Sequence, residues 1–393
     1  MTSSNRRVFL KNSLLSASGT LFAVPGLSRL HSTINYGDPP SPIIKRKLGK
    51  TGIVLPIVSM GVMRADNPGL VRAALKAGIT HFDTAHGYQK GKNEEMLGEV
   101  LMEHRRESFV IGTKIGPDSK GDFLAKLDLS LQRLKMAFVD ILYLHGVSER
   151  ETVLSAELME IAKGLKAAGK VRHLGVSTHK NEPEVIQAAV DSGFYEVVLT
   201  SVNFRQDHYT EVRSAIARAA KAGVGIVAMK TMAGGFFDKD RKEPINCKAA
   251  LKWVLQDENV STSIPGITSY DMLAENATVN TDLTITDGEK AELRLAQLQG
   301  GLYCNACEEC VATCSRSLPI PELMRAYMYT YGYGNASMGK ELVTNLAVGA
   351  EPCSDCGSCT VRCTKEFLVR ERISDVARLQ AVPDEFLSGA EYA

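Results

Sequence analysis

Eight of the nine cysteines fall into two copies of one spacing, Cys-x-x-Cys-x-x-Cys-x-x-x-Cys: Cys304, Cys307, Cys310 and Cys314, then Cys353, Cys356, Cys359 and Cys363. Three thiolates at that pitch curl around one corner of an iron–sulfur cube, and the fourth cysteine of each run reaches across to the other cluster. The spacing therefore predicts two 4Fe–4S clusters. One is held by Cys304, Cys307, Cys310 and Cys363, the other by Cys353, Cys356, Cys359 and Cys314. Structural zinc sites separate their cysteine pairs by longer gaps, and disulfides between cysteines three apart would be strained. The last hundred residues are thus a cluster-bearing module attached to something larger.

The whole chain has 393 residues, enough for one large barrel and a small module. A net charge of +1 gives no electrostatic case for nucleic acid, and no apolar stretch is long enough to span a bilayer in the mature chain. Near the start, Arg6-Arg7 is followed by Phe9-Leu10-Lys11 and a weakly apolar run. This resembles a twin-arginine export signal over residues 1–30, which predicts a periplasmic protein, or an anchored one if the segment stays uncleaved. Residues 31–44 lack periodicity and read as a linker.

From residue 45 to about 285, short β-branched runs alternate with amphipathic helical patterns. Candidate strands lie at 54–60, 80–84, 109–113, 139–144, 173–177, 197–202, 225–229 and 262–265. Between them, segments such as 68–77, 94–104, 123–134, 153–168, 182–192 and 210–222 repeat apolar residues at three and four. Eight such units predict an α/β fold, a (β/α)8 TIM barrel, followed by a small, mainly helical ferredoxin-like domain over 286–393. A doubly wound sheet usually carries Gly-x-Gly-x-x-Gly after its first strand, which this chain lacks.

Chemistry in such a barrel sits at the C-terminal ends of the strands. The second candidate strand ends at Asp83, with Tyr88 in its loop, the third at Lys114 and the fourth at His145. Their chemistries are complementary. A nearby lysine favours a tyrosine's phenolate, an aspartate keeps the lysine charged and positioned, and a histidine orients a substrate oxygen. Singly these residues read as a helix cap, a surface charge and rim residues. At consecutive strand ends they read as a catalytic group.

At these residues the chain resembles the aldo/keto reductase family. The resemblance runs through Asp83-Thr84-Ala85 to Tyr88, Thr113-Lys114, Asp140 to His145, Gly169 to Ser177, and Glu275-Asn276. It implies NAD(P)(H)-dependent interconversion of carbonyls and alcohols, with Tyr88 as general acid, Lys114 and Asp83 tuning it and His145 orienting the substrate. The tail resembles the ferredoxin-tailed branch of that family. The helical pattern of residues 320–346 resembles the α-helical ferredoxin type, although Ser315 and Thr364 stand where such runs usually place proline.

The implied cofactor site departs from the family. Ser177 is kept, but Thr178 replaces the family's asparagine and Ser201 its glutamine at the nicotinamide carboxamide, while Met229 stands where an aromatic ring usually stacks. Gly266 and Met272 occupy the positions of the two cations that bind the NADP phosphate, so NAD(H) is slightly favoured. Glu275 and Asn276 remain suited to the adenine edge. Lys230, at the end of the seventh candidate strand, reads as a substrate or cofactor-phosphate contact, and equally as a salt-bridged rim lysine.

Two constraints bear on function. Nicotinamide moves two electrons and each cluster one, so the clusters either relay electrons to a redox partner protein or staple a small domain. Free NAD(P)H is also scarce outside the cytoplasm. Three readings follow. The first is an exported reductase of a small carbonyl or hydroxyl substrate, such as a sugar. The second is a retained-NAD enzyme acting on sugars without net redox change. The third is an iron–sulfur electron-transfer subunit with a non-catalytic barrel.

Overall fold

A computed structural model describes residues 42–387. The segment read as an export signal, all but the last three residues of the linker, and residues 388–393 lie outside the described residues.

Ten strands are described: β1 (Lys45–Lys47), β2 (Val54–Pro56), β3 (Met60–Gly61), β4 (His81–Asp83), β5 (Val110–Ile115), β6 (Val139–Leu144), β7 (Val171–Thr178), β8 (Val197–Ser201), β9 (Gly225–Met229) and β10 (Thr262–Ser263). The last eight form one parallel sheet in sequence order. Isolated parallel bridges from Val58 to Ser263 and from Gly61 to Gly266 bring its two edges together, so the barrel is nearly closed. Helices fill the connections, as the three-and-four pattern predicts. In Pro68–Lys76, for example, Asn67 caps the Gly69 N–H, proline sits in the first turn, and Leu70, Val71 and Ala74 turn inward.

Alternation decides which side chains fill the barrel. Along β6, Leu142 and Leu144 join the layer between strands and helices, whereas Ile141 and Tyr143 join Val197, Leu199 and Val227 in the interior. Leu48 and Leu55, fully buried on the β1–β2 hairpin, pack into that same interior cluster and plug one end of the barrel. The expected first strand, 54–60, is therefore divided. Val54–Pro56 pairs antiparallel with β1, and only Met60–Gly61 enters the barrel. Hairpin and barrel strand share a period of two, so periodicity could not separate them. The Tyr143 ring fits because its neighbours lack side chains: a methyl group on Gly175 would lie 2.7 Å from the ring, and one on Gly112 3.2 Å.

Beyond the barrel the chain is helical: Asp287–Leu298, Ile320–Tyr327, Ala336–Asn345 and Val369–Ala377, with a π turn at Met328–Gly332. Residues 320–346 are thus largely helical, as expected. Leu302, Tyr303, Leu323, Met324 and Met328 share one buried cluster with Phe204, Ala233, Ile245, Ala249 and Ala250 of the barrel. Arg205 adds hydrogen bonds to the Ala296 and Gln299 carbonyls at 2.9 and 2.7 Å. Among the described residues no helix is long and apolar enough to cross a membrane.

Candidate active site

Alternation along β4 and β5 turns Asp83 and Lys114 into the barrel while Phe82, Ile111 and Ile115 face the helices. The Lys114 ammonium meets the Asp83 carboxylate directly, donates to the Thr84 carbonyl at 2.6 Å, and lies 3.5 Å from the Tyr88 hydroxyl. Tyr88 opens a tight turn in which Gln89 and Lys90 both adopt left-handed backbone. That turn is anchored from behind, where the Thr84 hydroxyl donates to Asn93 at 2.6 Å and Asn93 donates to the Val62 carbonyl. His145 presents its ring edge-on to Tyr88, with centroids 5.9 Å apart. The structure therefore gathers Asp83, Tyr88, Lys114 and His145 into one group.

Its electrostatics differ from expectation at one point. The Tyr88 phenol is held well above its ordinary value, first by burial, then by the charge of Asp83 and by Tyr329. Burial and the Asp83 charge thus outweigh the lowering that Lys114 was expected to bring. Burial likewise pushes Asp83 up and Lys114 down, each opposed by the other's charge. His145 is pushed down to about 3 by burial, then by Lys114, Arg325 and Lys230, so its imidazole is neutral.

These groups line a cavity of about 1000 Å³ that continues along the loops after β9 and β10, past Met229, Lys230, Gly235, Gly266, Met272 and Glu275. Its far wall belongs to the helical tail, through Arg325, Tyr329, Tyr333, Met338 and Leu342. Tyr329 and Tyr333 stack at 5.4 Å, and Arg64 of the barrel lies over the Tyr333 ring while donating to its carbonyl at 2.6 Å. No local pattern in the chain marks these tail residues. His179 also lines the cavity, and its position just past the end of β7, at the active face, is the feature of the sequence that marks it.

Of the expected cofactor contacts, Ser177, Met229, Lys230, Gly266 and Glu275 border the cavity, whereas Thr178, Ser201 and Asn276 do not. The Ser201 hydroxyl donates to Glu182, and the Thr178 hydroxyl donates to the Lys180 carbonyl. Asn276 is buried, and its side-chain amide has no hydrogen-bond partner among the described residues. Cys247 borders the cavity, but burial pushes its thiol up to about 12. Trp253 packs between the cores and against Tyr209, as a core residue would.

All nine cysteines are free of disulfides. Cys304, Cys307, Cys310 and Cys363 surround one small cavity, which is the expected set of three from the first run and one from the second. Cys353 interacts with Cys356, Cys359 and Cys314, the complementary set. Among the described residues no three ligand-type side chains converge on a single-ion site; the first four thiols instead border a space between them, which suits a cube. That set is docked on the active face of the barrel, with Lys180 to Glu308 at 2.6 Å, Asn305 to Asp207 at 2.8 Å, and Lys365 paired with Asp207.

Comparison with known proteins agrees with this architecture. Residues 61–249 match the aldo/keto reductase family, and residues 303–368 match a 4Fe-4S dicluster domain. The chain is 25% identical over 319 residues to an L-glyceraldehyde 3-phosphate reductase of Escherichia coli, covering 63% of this chain and 90% of that one. It is 25% identical over 283 residues to an L-galactose dehydrogenase of Arabidopsis thaliana, covering 61% and 88% respectively. A 6-dehydroglucose reductase of Novosphingobium aromaticivorans is 38% identical over 166 residues, covering 36% and 53%. The holo form of an aldo-keto reductase from Bacillus halodurans superposes with a TM-score of 0.55 at 22% identity, over 65% of this chain and 96% of that one, a likeness of fold. The barrel thus matches the aldo/keto reductase family, the tail matches a 4Fe–4S dicluster domain, and the protein is an oxidoreductase of aldo/keto reductase type.

Removing one member of a buried ion pair strands the other charge, at a cost of about 3–5 kcal/mol. Lys114→Met is expected to lose about that much stability, and the double variant Asp83→Asn, Lys114→Met less than the sum of the two single changes. In Lys114→Met the Asp83 pKa rises further above its unfolded value, so the folded state keeps a proton that the unfolded state releases. Stability then falls as pH rises above about 4. Urea unfolding at about pH 5 and about pH 8 checks both the size and the sign. A single variant equally stable at both values would count against a charged pair.

Proposed function

We propose that this oxidoreductase interconverts a carbonyl and an alcohol with NAD(P)(H), Tyr88 exchanging the proton at the substrate oxygen. The observation that carries the reading is the meeting of Tyr88, Lys114, Asp83 and His145 at a cavity that continues past the β9 and β10 loops. A phenol held above its ordinary value is fully protonated but a weak acid, so donating its proton to an oxygen that gains charge as its carbon is reduced depends on stabilising the phenolate it leaves. Lys114, 3.5 Å away, stabilises the phenolate left behind, and Asp83 keeps that ammonium charged and in place. His145, neutral at physiological pH, donates an N–H to the same oxygen and orients it without competing as an acid. When bound, the nicotinamide supplies or accepts the hydride.

Ser177, Met229, Gly266 and Glu275 border the space for that cofactor. With Gly266 and Met272 at the phosphate-binding positions, NAD(H) is slightly favoured. Arg64 lies beside Gly266, but the carbonyl and ring of Tyr333 already engage it. Small carbonyl substrates, including sugar aldehydes, are expected to be reduced by NADH and, less well, by NADPH. Tyr88→Phe is expected to lower turnover by about 10²–10⁴-fold with its iron content unchanged. Full activity in Tyr88→Phe would move the proton transfer elsewhere. A wild type inactive on every carbonyl would favour an electron-transfer subunit with a non-catalytic barrel.

The tail, in this reading, holds two 4Fe–4S clusters on the crossed cysteine sets, and when bound they supply one-electron transfer to a redox partner. Anaerobically purified protein is expected to carry about eight irons per chain, with Cys310→Ser and Cys353→Ser each losing about four. Unchanged iron in either variant would remove that cysteine from the ligand set. The covering of the cofactor groove by Tyr333, Met338 and Leu342 supports the second reading, in which NAD stays bound and a sugar is oxidised and re-reduced within one turnover. Nucleotide released from the same sample decides it.

Residues 1–30 are proposed to direct the folded protein to the periplasm by the twin-arginine route, which suits a protein that leaves with its cofactors installed. Replacing Arg6 and Arg7 with lysine is expected to leave the protein in the cytoplasmic fraction. Unaltered export would exclude the signal.

A further inference from the structure

One corner of the cavity is more basic than carbonyl chemistry requires. Lys230 follows β9 directly, and its backbone lies in the left-handed region at φ 56°, a conformation costly for a lysine and tolerated where the surroundings enforce it. Its side chain borders the cavity, and among the described residues no hydrogen bond or ion pair engages the ammonium. Of the other cations bordering the cavity, Lys114 is paired with Asp83, Arg64 with the Tyr333 carbonyl and Arg325 with Glu322, while Arg241 lies over the Phe236 ring.

Arg325 reaches this corner from the tail, its guanidinium lying 3.0 Å from each ring nitrogen of His179. Lys230 and Arg325 together hold His179 and His145 neutral, after burial, which places both cations within electrostatic reach of both rings. The nearby carboxylates do not balance them. Glu322 is shared with Arg325, and Glu182 is tied to Ser201, Gln206 and His208. Burial and then the neighbouring Arg325 push the Lys230 ammonium down to about 7, so an anion bound at this corner would stabilise both charges where no free carboxylate does.

We propose that Lys230, Arg325 and His179 form an anion subsite, which binds a carboxylate or phosphate carried by the substrate while Tyr88 and His145 hold its reacting oxygen. The inference rests on the carbonyl–alcohol reading and narrows it to substrates with an acidic substituent, such as sugar phosphates or aldehyde acids. Arg325 makes the specificity a joint property of barrel and tail. The barrel alone supplies the proton-transfer group and one cation; the second cation arrives only with the docked dicluster domain.

The test uses the full chain, purified anaerobically with its iron. Calorimetric titration with glyceraldehyde 3-phosphate and with glyceraldehyde is expected to show the phosphate ester binding more tightly by about tenfold or more. That preference should be lost in Lys230→Met and in Arg325→Met and restored in Lys230→Arg, which guards against a folding defect. In turnover, the ratio of kcat/KM for succinic semialdehyde over butanal should fall by about tenfold in each methionine variant. Equal wild-type binding of the charged and neutral aldehydes overturns the proposal. So does a loss of NADH affinity in Lys230→Met as large as the loss for glyceraldehyde 3-phosphate, which would assign the lysine to the cofactor's phosphates. Charge-selective binding without turnover of any aldehyde would keep the subsite and sink the carbonyl-reduction reading.

Discussion

Inside a barrel filled with aliphatic and aromatic side chains, one ammonium and one carboxylate are held against each other, each 2% exposed. Burying two charges is costly unless their geometry and further hydrogen bonds offset the lost water. Here the Thr84 carbonyl takes a second ammonium proton, and the glycine at position 112 leaves room for Asp83 beside Tyr143. The surrounding parts follow from this pair. The helix Lys92–Leu101 is tied back to the strand end through Asn93, and the Tyr88 turn accepts left-handed residues so that its phenol reaches Lys114. Burial keeps the phenol protonated, and the Asp83 charge reinforces it.

The second constraint is the tail. In a bare barrel the C-terminal face is open to solvent, and its loops must build any wall. Here the wall is a π turn and two helices of the dicluster domain, which bring Tyr329, Tyr333 and Arg325 to within reach of the barrel's polar groups. Helical irregularities of this kind recur at functional sites. Tyr329 and Arg325 also enter the electrostatics of Tyr88 and His145. The tail therefore acts on the site by shape and charge.

Strand order, helix placement and the central group of four were legible because one rule produced them: period-two alternation ending in a polar residue. Lys114, Asp83 and His145 could be read from strand ends alone. The split of the first strand was not legible, since Val54–Pro56 and Met60–Gly61 share one alternation and differ only in which partner they meet. Ser201 and Thr178 sit at the expected strand ends, yet their hydroxyls turn to Glu182 and to the Lys180 carbonyl. Position on a strand does not fix where a short hydroxyl points. Arg325 and Tyr329 were invisible for a different reason. Nothing in an amphipathic helix states which distant surface its polar residues will cover. Cysteine spacing gave the crossed set around one cavity, because ligand pitch is local; the docking of that set on the barrel was not.

The docking bears on why a dicluster domain accompanies an aldo/keto reductase-type barrel. If iron served only to hold a small domain together, that domain could sit on any face. It sits instead on the face bearing the chemistry, with Cys304 close enough to influence Lys230, and with Lys180, Asp207 and Arg205 clamping it there. Electron transfer is not needed to explain this placement. The segment between the two cysteine runs supplies Arg325, Tyr329 and Tyr333, and its ends are fixed only if the runs are. The second wall of the cavity thus comes from the chain between the two cysteine runs, so the shape of the site and the placement of those runs are set together.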